Sequence, residues 1–340
     1  MTKSQRKYLS TAIGVIISVV LMAVLFWNID FKQLGVALKQ ANYWWLLPNM
    51  GLLVGLMYLR AYRWKFMIRP IKEAAYSHLL AATCIGFMAN NLLPLRLGEF
   101  VRAYSLSSQD REISKSASLA TIFVERMVFD LVALLIIFGG VVATTSVKMP
   151  EEMRAGLAIA IISALIGLTF VFFLALKPAL ASDILIRWLF FLPQRIREKV
   201  RDIIMRFSRG FEFLIHAKMV STVGLLTLII WIITGLSNYF VFIAFGFNLP
   251  LDASFFLLVV VSISILLPSA PGYIGVYHWG TIFTMQQYGI NRVDALSFAL
   301  VLHAAQYVPI TLMGFYYLKK AHLSLKELED EAVDSPPDPA

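Results

Sequence analysis

Charge is scarce in this chain. Asp, Glu, Lys and Arg make up 15% of its 340 residues, where a soluble domain carries about 25%. That shortfall, with 59% hydrophobic residues and a mean hydropathy of +0.73, excludes an ordinary soluble fold and points to a chain that crosses a bilayer several times. Cysteine is scarcer still: Cys84 stands alone in an apolar stretch, which excludes a disulfide framework. One Cys and five scattered His make no metal site, so neither a metal nor another cofactor is expected. No GxxxxGK[ST], HExxH or GxSxG occurs, so the chain has no ATPase of its own and is not expected to be an enzyme.

The charge that is present is basic, with a net value of +9. Its placement argues for membrane orientation and against nucleic acid as a partner. Lys3, Arg6 and Lys7 precede the apolar run Tyr8–Trp27, which lacks a small-residue cleavage site and reads as an uncleaved first span with a cytoplasmic N-terminus. Asn28–Asn42 is a polar connector compatible with an interfacial helix. Tyr43–Leu59 reads as a second span, anchored by Tyr43, Trp44 and Trp45, and empties into the basic Arg60, Arg63, Lys65, Arg69 and Lys72.

His78–Leu93 is apolar but short, and is broken by Asn90, Asn91 and Pro94. Its sixteen residues reach roughly 24 Å as a helix, less than the ~30 Å of a hydrocarbon core. Basic residues follow again, so a re-entrant element returning to the cytoplasmic side fits best. Ala117–Thr145 then crosses outward, and Ala155–Leu176 returns. Lys177–Lys218, with nine Lys or Arg against four Asp or Glu, is cytoplasmic. In it, Ile196, Val200, Ile203, Ile204, Phe207, Phe211 and Leu214 recur at helical spacing, reading equally as a basic amphipathic helix on the anionic leaflet or as one packed on the bundle. Ser221–Phe245 is a span, Phe255–Leu267 stops short at Pro268, Tyr273–Tyr288 resumes and Ala295–Leu318 is the last span. The acidic, Pro-rich tail from Glu327 to Ala340 is expected to be disordered.

The two broken elements match. Leu92-Leu93-Pro94 heads LRLGEFVRAY, and Leu267-Pro268 heads SAPGYIGVYHW. The predicted fold is an all-α polytopic membrane protein with about six full spans and two re-entrant broken-helix hairpins, arranged as an inverted repeat. Residues 1–326 form one membrane domain, with repeats near 43–145 and 221–318. Both termini are cytoplasmic.

The segments NNLLPLRLGEFVRAY, SKSASLATIFVERMVFD and LLPSAPGYIGVYHWG resemble a flippase-like integral membrane family that includes the transmembrane half of bacterial lysyl-phosphatidylglycerol synthases. The resemblance runs in order over nearly the whole chain. It implies translocation or handling of lipids, and it places Arg96, Gly98, Glu99, Arg102, Glu125, Arg126, Pro271 and Gly272 on the family pattern. No soluble aminoacyl-transferase domain follows the last span, so lipid synthesis is not expected. His278 stands where relatives often carry an acidic residue.

The candidate head-group site combines Arg96, Glu99 and Arg102, expected to share a helix face beginning after Pro94, with Glu99 holding both guanidinium groups. Deeper in the bilayer, Arg126 and Asp130 can pair at a spacing of four. Glu125, about 100° away, is expected to be unpaired and free for a proton or head group. The alternatives are local anchoring for the first group and interhelical glue for the second. Asn90, Asn91, Ser269, Gln306 and Tyr307 add polar surface at similar depth, His303 in the last span reads as a packing hydrogen-bond donor or, alternatively, a proton relay, and Pro271 and Gly272 complete the candidate head-group set through the family pattern. The expected activity is that of a lipid flippase or lipid-binding transporter for an anionic or phosphate-linked lipid in the bacterial cytoplasmic membrane. A membrane transferase acting on a lipid carrier, or a non-catalytic partner of a lipid or envelope biosynthesis enzyme, are the alternatives.

Overall fold

The computed structural model describes residues 3–27, 29–93, 96–144, 177–188, 210–267 and 269–328 continuously, with scattered positions between 162 and 205. Every regular element among them is helical. Helix α1 (Lys3–Phe26) meets α2 (Phe31–Gln40) at 90°. Asp30 caps α2 by accepting from the Lys32 and Gln33 N–H groups at 2.8 and 3.3 Å. This is the connector helix read from the sequence, with Leu34 buried and Phe31 and Val36 exposed. A 3₁₀ turn, Tyr43–Trp45, leads into α3 (Leu46–Ile68).

Helix α3 corrects the sequence reading. The second span does not end at Leu59 in a basic loop; the helix continues for two more turns, and Arg60 and Arg63 lie buried within it. The chain leaves the helix only after Arg69, whose backbone is still helical (φ −50°, ψ −39°), at Pro70, which has no N–H to continue the ladder.

The first broken element is a helical hairpin of α4 (Tyr76–Leu92) and α5 (Gly98–Gln109). The two helices touch through glycine: a Cβ added to Gly98 would overlap the Gly86 carbonyl, and one on Gly86 would overlap the Arg102 Cβ. Antiparallel packing returns the chain to the side it left, where Lys72 Nζ lies 2.8 Å from Asp110 and 3.1 Å from Glu112. Helix α6 (Lys115–Val124) passes through a π-helical stretch, Glu125–Asp130, into α7 (Leu131–Thr144).

After α8 (Pro178–Trp188) the same order of elements recurs. A long helix α9 (Ala217–Ala244) precedes two short ones, α10 (Leu251–Ser264) and α11 (Val276–Gln287), separated by a break. A last long helix, α12 (Arg292–Lys320), follows. The two sets interlock, with α3 packed along α9 and α4 along α12. At the second contact a Cβ on Gly314 would overlap Met88 of α4. Among the described residues three helices are long and apolar enough to cross a membrane (α6–α7 as one, α9 and α12), or four if the bent α1–α2 pair counts as one span.

Most of the basic amphipathic segment, and the expected return span Ala155–Leu176, lie largely outside the described residues. The C-terminal end of that segment packs on the bundle: Phe211, Phe213 and Leu214 are buried in a cluster with Trp64, Phe129 and Val223. The tail expected to be disordered from Glu327 begins in order instead. Glu327 accepts from the Tyr104 hydroxyl at 3.0 Å, and Leu328 is buried against the first hairpin. Residues 329–340 lie outside the described residues.

Candidate functional site

The π-helical stretch sets the geometry of the site. In an α-helix Glu125 and Asp130, five residues apart, would point about 140° away from each other. A π turn closes hydrogen bonds from i to i+5 and draws such residues together; here the Leu131 N–H reaches the Arg126 carbonyl. Both carboxylates therefore meet one partner, Arg63, whose Nη2 lies 2.8 Å from Glu125 and whose Nη1 lies 2.8 Å from Asp130. Arg63 is fully buried, and its Nη1 also donates to the Thr227 hydroxyl of α9 at 2.7 Å. Trp231 of α9 donates its indole N–H to Asp130 at 3.1 Å.

Glu125 is thus not the unpaired carboxylate that its spacing implied. Besides Arg63 it accepts from Arg102 Nη1 at 2.9 Å. Arg102 in turn lies 4.0 Å from the centre of the Trp64 ring, a cation–π contact in a buried setting. Trp64 is fixed by donating its indole N–H to Thr121 at 2.8 Å. The pair of Arg126 with Asp130 forms as expected, at 3.2 Å, and Arg126 also reaches Glu99 at 3.5 Å.

The face expected of Arg96, Glu99 and Arg102 does not form. Helix α5 starts at Gly98, so Arg96 lies before it, with a left-handed backbone (φ 57°). Arg102 turns to Glu125, and Glu99 turns to Arg126. Asn90 holds this first break together: its side-chain oxygen accepts from the Gly98 N–H at 2.9 Å, and its amide donates to Glu99 at 3.2 Å. In a bilayer, unwound backbone needs such partners, because no water is there to satisfy it.

The second break faces the first. Pro271–Tyr273 forms a single 3₁₀ turn with Gly272 at φ 73°, next to the half-buried Ser269 and Ala270. A Cβ at Gly272 would sit 2.9 Å from the Tyr307 ring and 3.4 Å from the Asn91 carbonyl. Tyr307 donates its hydroxyl to that same carbonyl at 3.4 Å, and Asn91 donates its amide to Thr311 at 2.9 Å. Arg96 from the first break lies 5.0 Å from the centre of the Tyr273 ring in the second. Both residues have positive φ, 57° and 58°. Such backbone costs about 1–3 kcal/mol at a non-glycine residue. His303 stands beside the turn, its ring stacked on Tyr277 at 4.6 Å and 5.7 Å from that of Tyr307.

Arg60, a loop residue by its place after the apolar run, joins the cluster too, with its guanidinium 5.0 Å from the Phe87 ring. Arg60, Arg63, Arg102 and Arg126 thus gather against Glu99, Glu125 and Asp130, one positive charge in excess. Among the described residues donors remain over: Nε and Nη1 of Arg60, Nε and Nη2 of Arg102, and Nη2 of Arg96 are buried with no hydrogen-bond partner, as is the acceptor Oε2 of Glu125. Unpaired buried N–H groups are costly, and an array of them beside a surplus positive charge is suited to the oxygens of an anion. Sequence reasoning missed Arg60, Arg63, Trp64 and Trp231. The available signal was Pro70: no proline interrupts Gly51–Arg69, so a helix starting near Tyr43 has no terminator before it.

The family model for the lysylphosphatidylglycerol synthase TM region matches residues 11–314, which take in every element of this cluster. The chain belongs to that family. Within the lysylphosphatidylglycerol synthase TM family it is similar to UPF0104 membrane proteins. One, from Methanocaldococcus jannaschii, is 28% identical over 249 residues, covering 71% of this chain and 98% of the relative. Another, from Methanothermobacter thermautotrophicus, is 24% identical over 318 residues, covering 89% and 93%. No solved structure matches. The chain is a membrane protein of this family, with several apolar helices.

Proposed function

We propose that this chain is a lipid flippase or lipid-binding transporter for an anionic or phosphate-linked lipid, working in the cytoplasmic membrane without an ATPase or catalytic activity of its own. The observation that carries the reading is the set of unpartnered guanidinium N–H groups on Arg60, Arg96 and Arg102, at the meeting of two broken helical hairpins. A head-group phosphate offers the acceptors those donors lack, and Arg binds phosphate through two parallel N–H groups. In this reading the repeated order of elements is an inverted repeat, the plan by which broken helices place a substrate site near the bilayer midplane. The loops at Lys72 and Asp110–Glu112 then lie together on the cytoplasmic side.

Reconstitution of the purified chain in vesicles with a fluorescent anionic phospholipid tests this. Flipping of the labelled lipid is expected. A modified lipid product would make the chain a transferase instead, and neither outcome would leave it a partner protein for a lipid or envelope biosynthesis enzyme. Thiol labelling of Lys72→Cys and Glu112→Cys in oriented membranes should succeed from the same face, and labelling from opposite faces ends the re-entrant arrangement.

A further inference from the structure

The charge of the buried cluster bears on which anion fits it. The four arginines and three carboxylates described above leave one positive charge over. Arg96 brings a second. It lies three residues before Glu99, which reaches Arg126 at 3.5 Å, and the Tyr273 ring that it covers stands within electrostatic reach of Glu99 and Arg126. Arginine keeps its proton in proteins, so this surplus is permanent. Along α3, α6–α7, α9, α12 and the four hairpin helices, the remaining Asp, Glu, Lys and Arg among the described residues stand in first or last turns. Lys65 of α3, Lys115 of α6 and Asp252 of α10 are examples. Two positive charges are therefore left inside the bundle without an opposite.

The spare hydrogen-bonding groups point the same way. Besides the five unpartnered donor atoms of Arg60, Arg96 and Arg102, Nε of Arg63 and Nε of Arg126 are buried without an acceptor. Oε2 of Glu125 is a spare acceptor, but Arg63 and Arg102 already meet that carboxylate at Oε1, at 2.8 and 2.9 Å. A phosphodiester offers two terminal oxygens and one negative charge. A phosphomonoester offers three oxygens and about −1.5 to −2 charges at pH 7.

We propose that the site selects a dianionic phosphomonoester head group, that of a lipid ending in a bare phosphate, over a phosphodiester. A diester would leave one buried positive charge uncompensated, and such a charge is costly away from water. The dianion leaves none, and its third oxygen takes donors that the diester cannot reach. The loaded site is then neutral, which lowers the cost of holding a head group at membrane depth. Arg96 is the residue that sets the preference, since it raises the surplus from one charge to two.

The inference rests on the lipid-transport reading and deepens it, and binding measurements separate the two. Purified full-length chain in neutral-detergent micelles at pH 8 is titrated with phosphatidic acid and with phosphatidylmethanol of the same acyl chains. The two lipids differ by one methyl group and one charge. Phosphatidic acid is expected to bind at least about tenfold tighter, the scale of one further charge-assisted hydrogen bond. Arg96→Gln should shrink that preference to about twofold or less. Glu99→Gln moves the charge the other way and should widen it several-fold, a gain that a misfolded variant does not show. Equal affinities in the parent, or a preference that neither variant shifts, overturn the dianion site and leave the transport reading standing. Inorganic phosphate that binds as tightly as phosphatidic acid would keep the dianion site and discard the lipid. A clear preference in a chain that flips neither lipid in vesicles discards transport alone.

Discussion

Arg63 is the residue on which the buried cluster turns. It bridges Glu125 and Asp130 and ties both to Thr227 of α9. Removing one partner from a buried ion pair leaves the other charge uncompensated, at a cost of about 3–5 kcal/mol. Arg63→Leu is therefore expected to lower membrane abundance sharply. Arg126→Leu with Asp130→Leu does not rescue itself as an isolated pair would, since Arg63 then loses one of its two carboxylates. Arg96 differs: it meets no carboxylate among the described residues and lies over Tyr273 outside helix α5. Arg96→Ala should keep normal abundance and lose lipid transport, with Arg96→Lys restoring it in part because the forked donor geometry is gone. Western blots of membranes beside a flipping assay check all of these. Normal transport by Arg96→Ala ends its role as a head-group ligand.

At the scale of elements, the π-helical stretch carries the largest consequence. It swings Glu125 and Asp130 onto one guanidinium, which a regular helix cannot do. Deleting the half-exposed Met127 would let the helix close as α and turn one carboxylate away. Thermal stability in detergent is expected to fall as far as in Arg63→Leu, and a Met127 deletion as stable as the parent would show that the extra residue is dispensable. The helical hairpins were legible in the sequence, because Pro94 and Pro268 interrupt apolar runs too short to cross. The π turn was not, since ERMVFD carries no proline or glycine to mark it. Reading it as α gave the right partner for Arg126 and the wrong environment for Glu125. The Arg96 backbone was equally hidden, as left-handed φ at an arginine is imposed by the break around it.

Over the whole molecule, class, long helices and the place of the two breaks followed from hydropathy and proline alone. The partners of the buried charges did not, because they come from helices far apart in the chain. Arg63 looked like a loop residue because arginines after an apolar run usually mark a cytoplasmic end. Its carboxylates lie 62 and 67 positions onward, and nothing local announces them.

The packing of α4 against Gly314 bears on how the chain is made. A ribosome delivers the first hairpin more than two hundred residues before the glycine that covers it. Through that interval Arg60, Arg63 and Arg102 sit in an incomplete bundle, lacking Thr227 and Trp231 as well. The first half is thus a client awaiting its second half, exposed meanwhile to membrane proteases. A chain stopped after residue 215 should be degraded within minutes of synthesis in a pulse–chase experiment, and co-expressing residues 216–340 as a separate polypeptide should prolong its life. A first half that persists alone would mean the cluster assembles without its later cover.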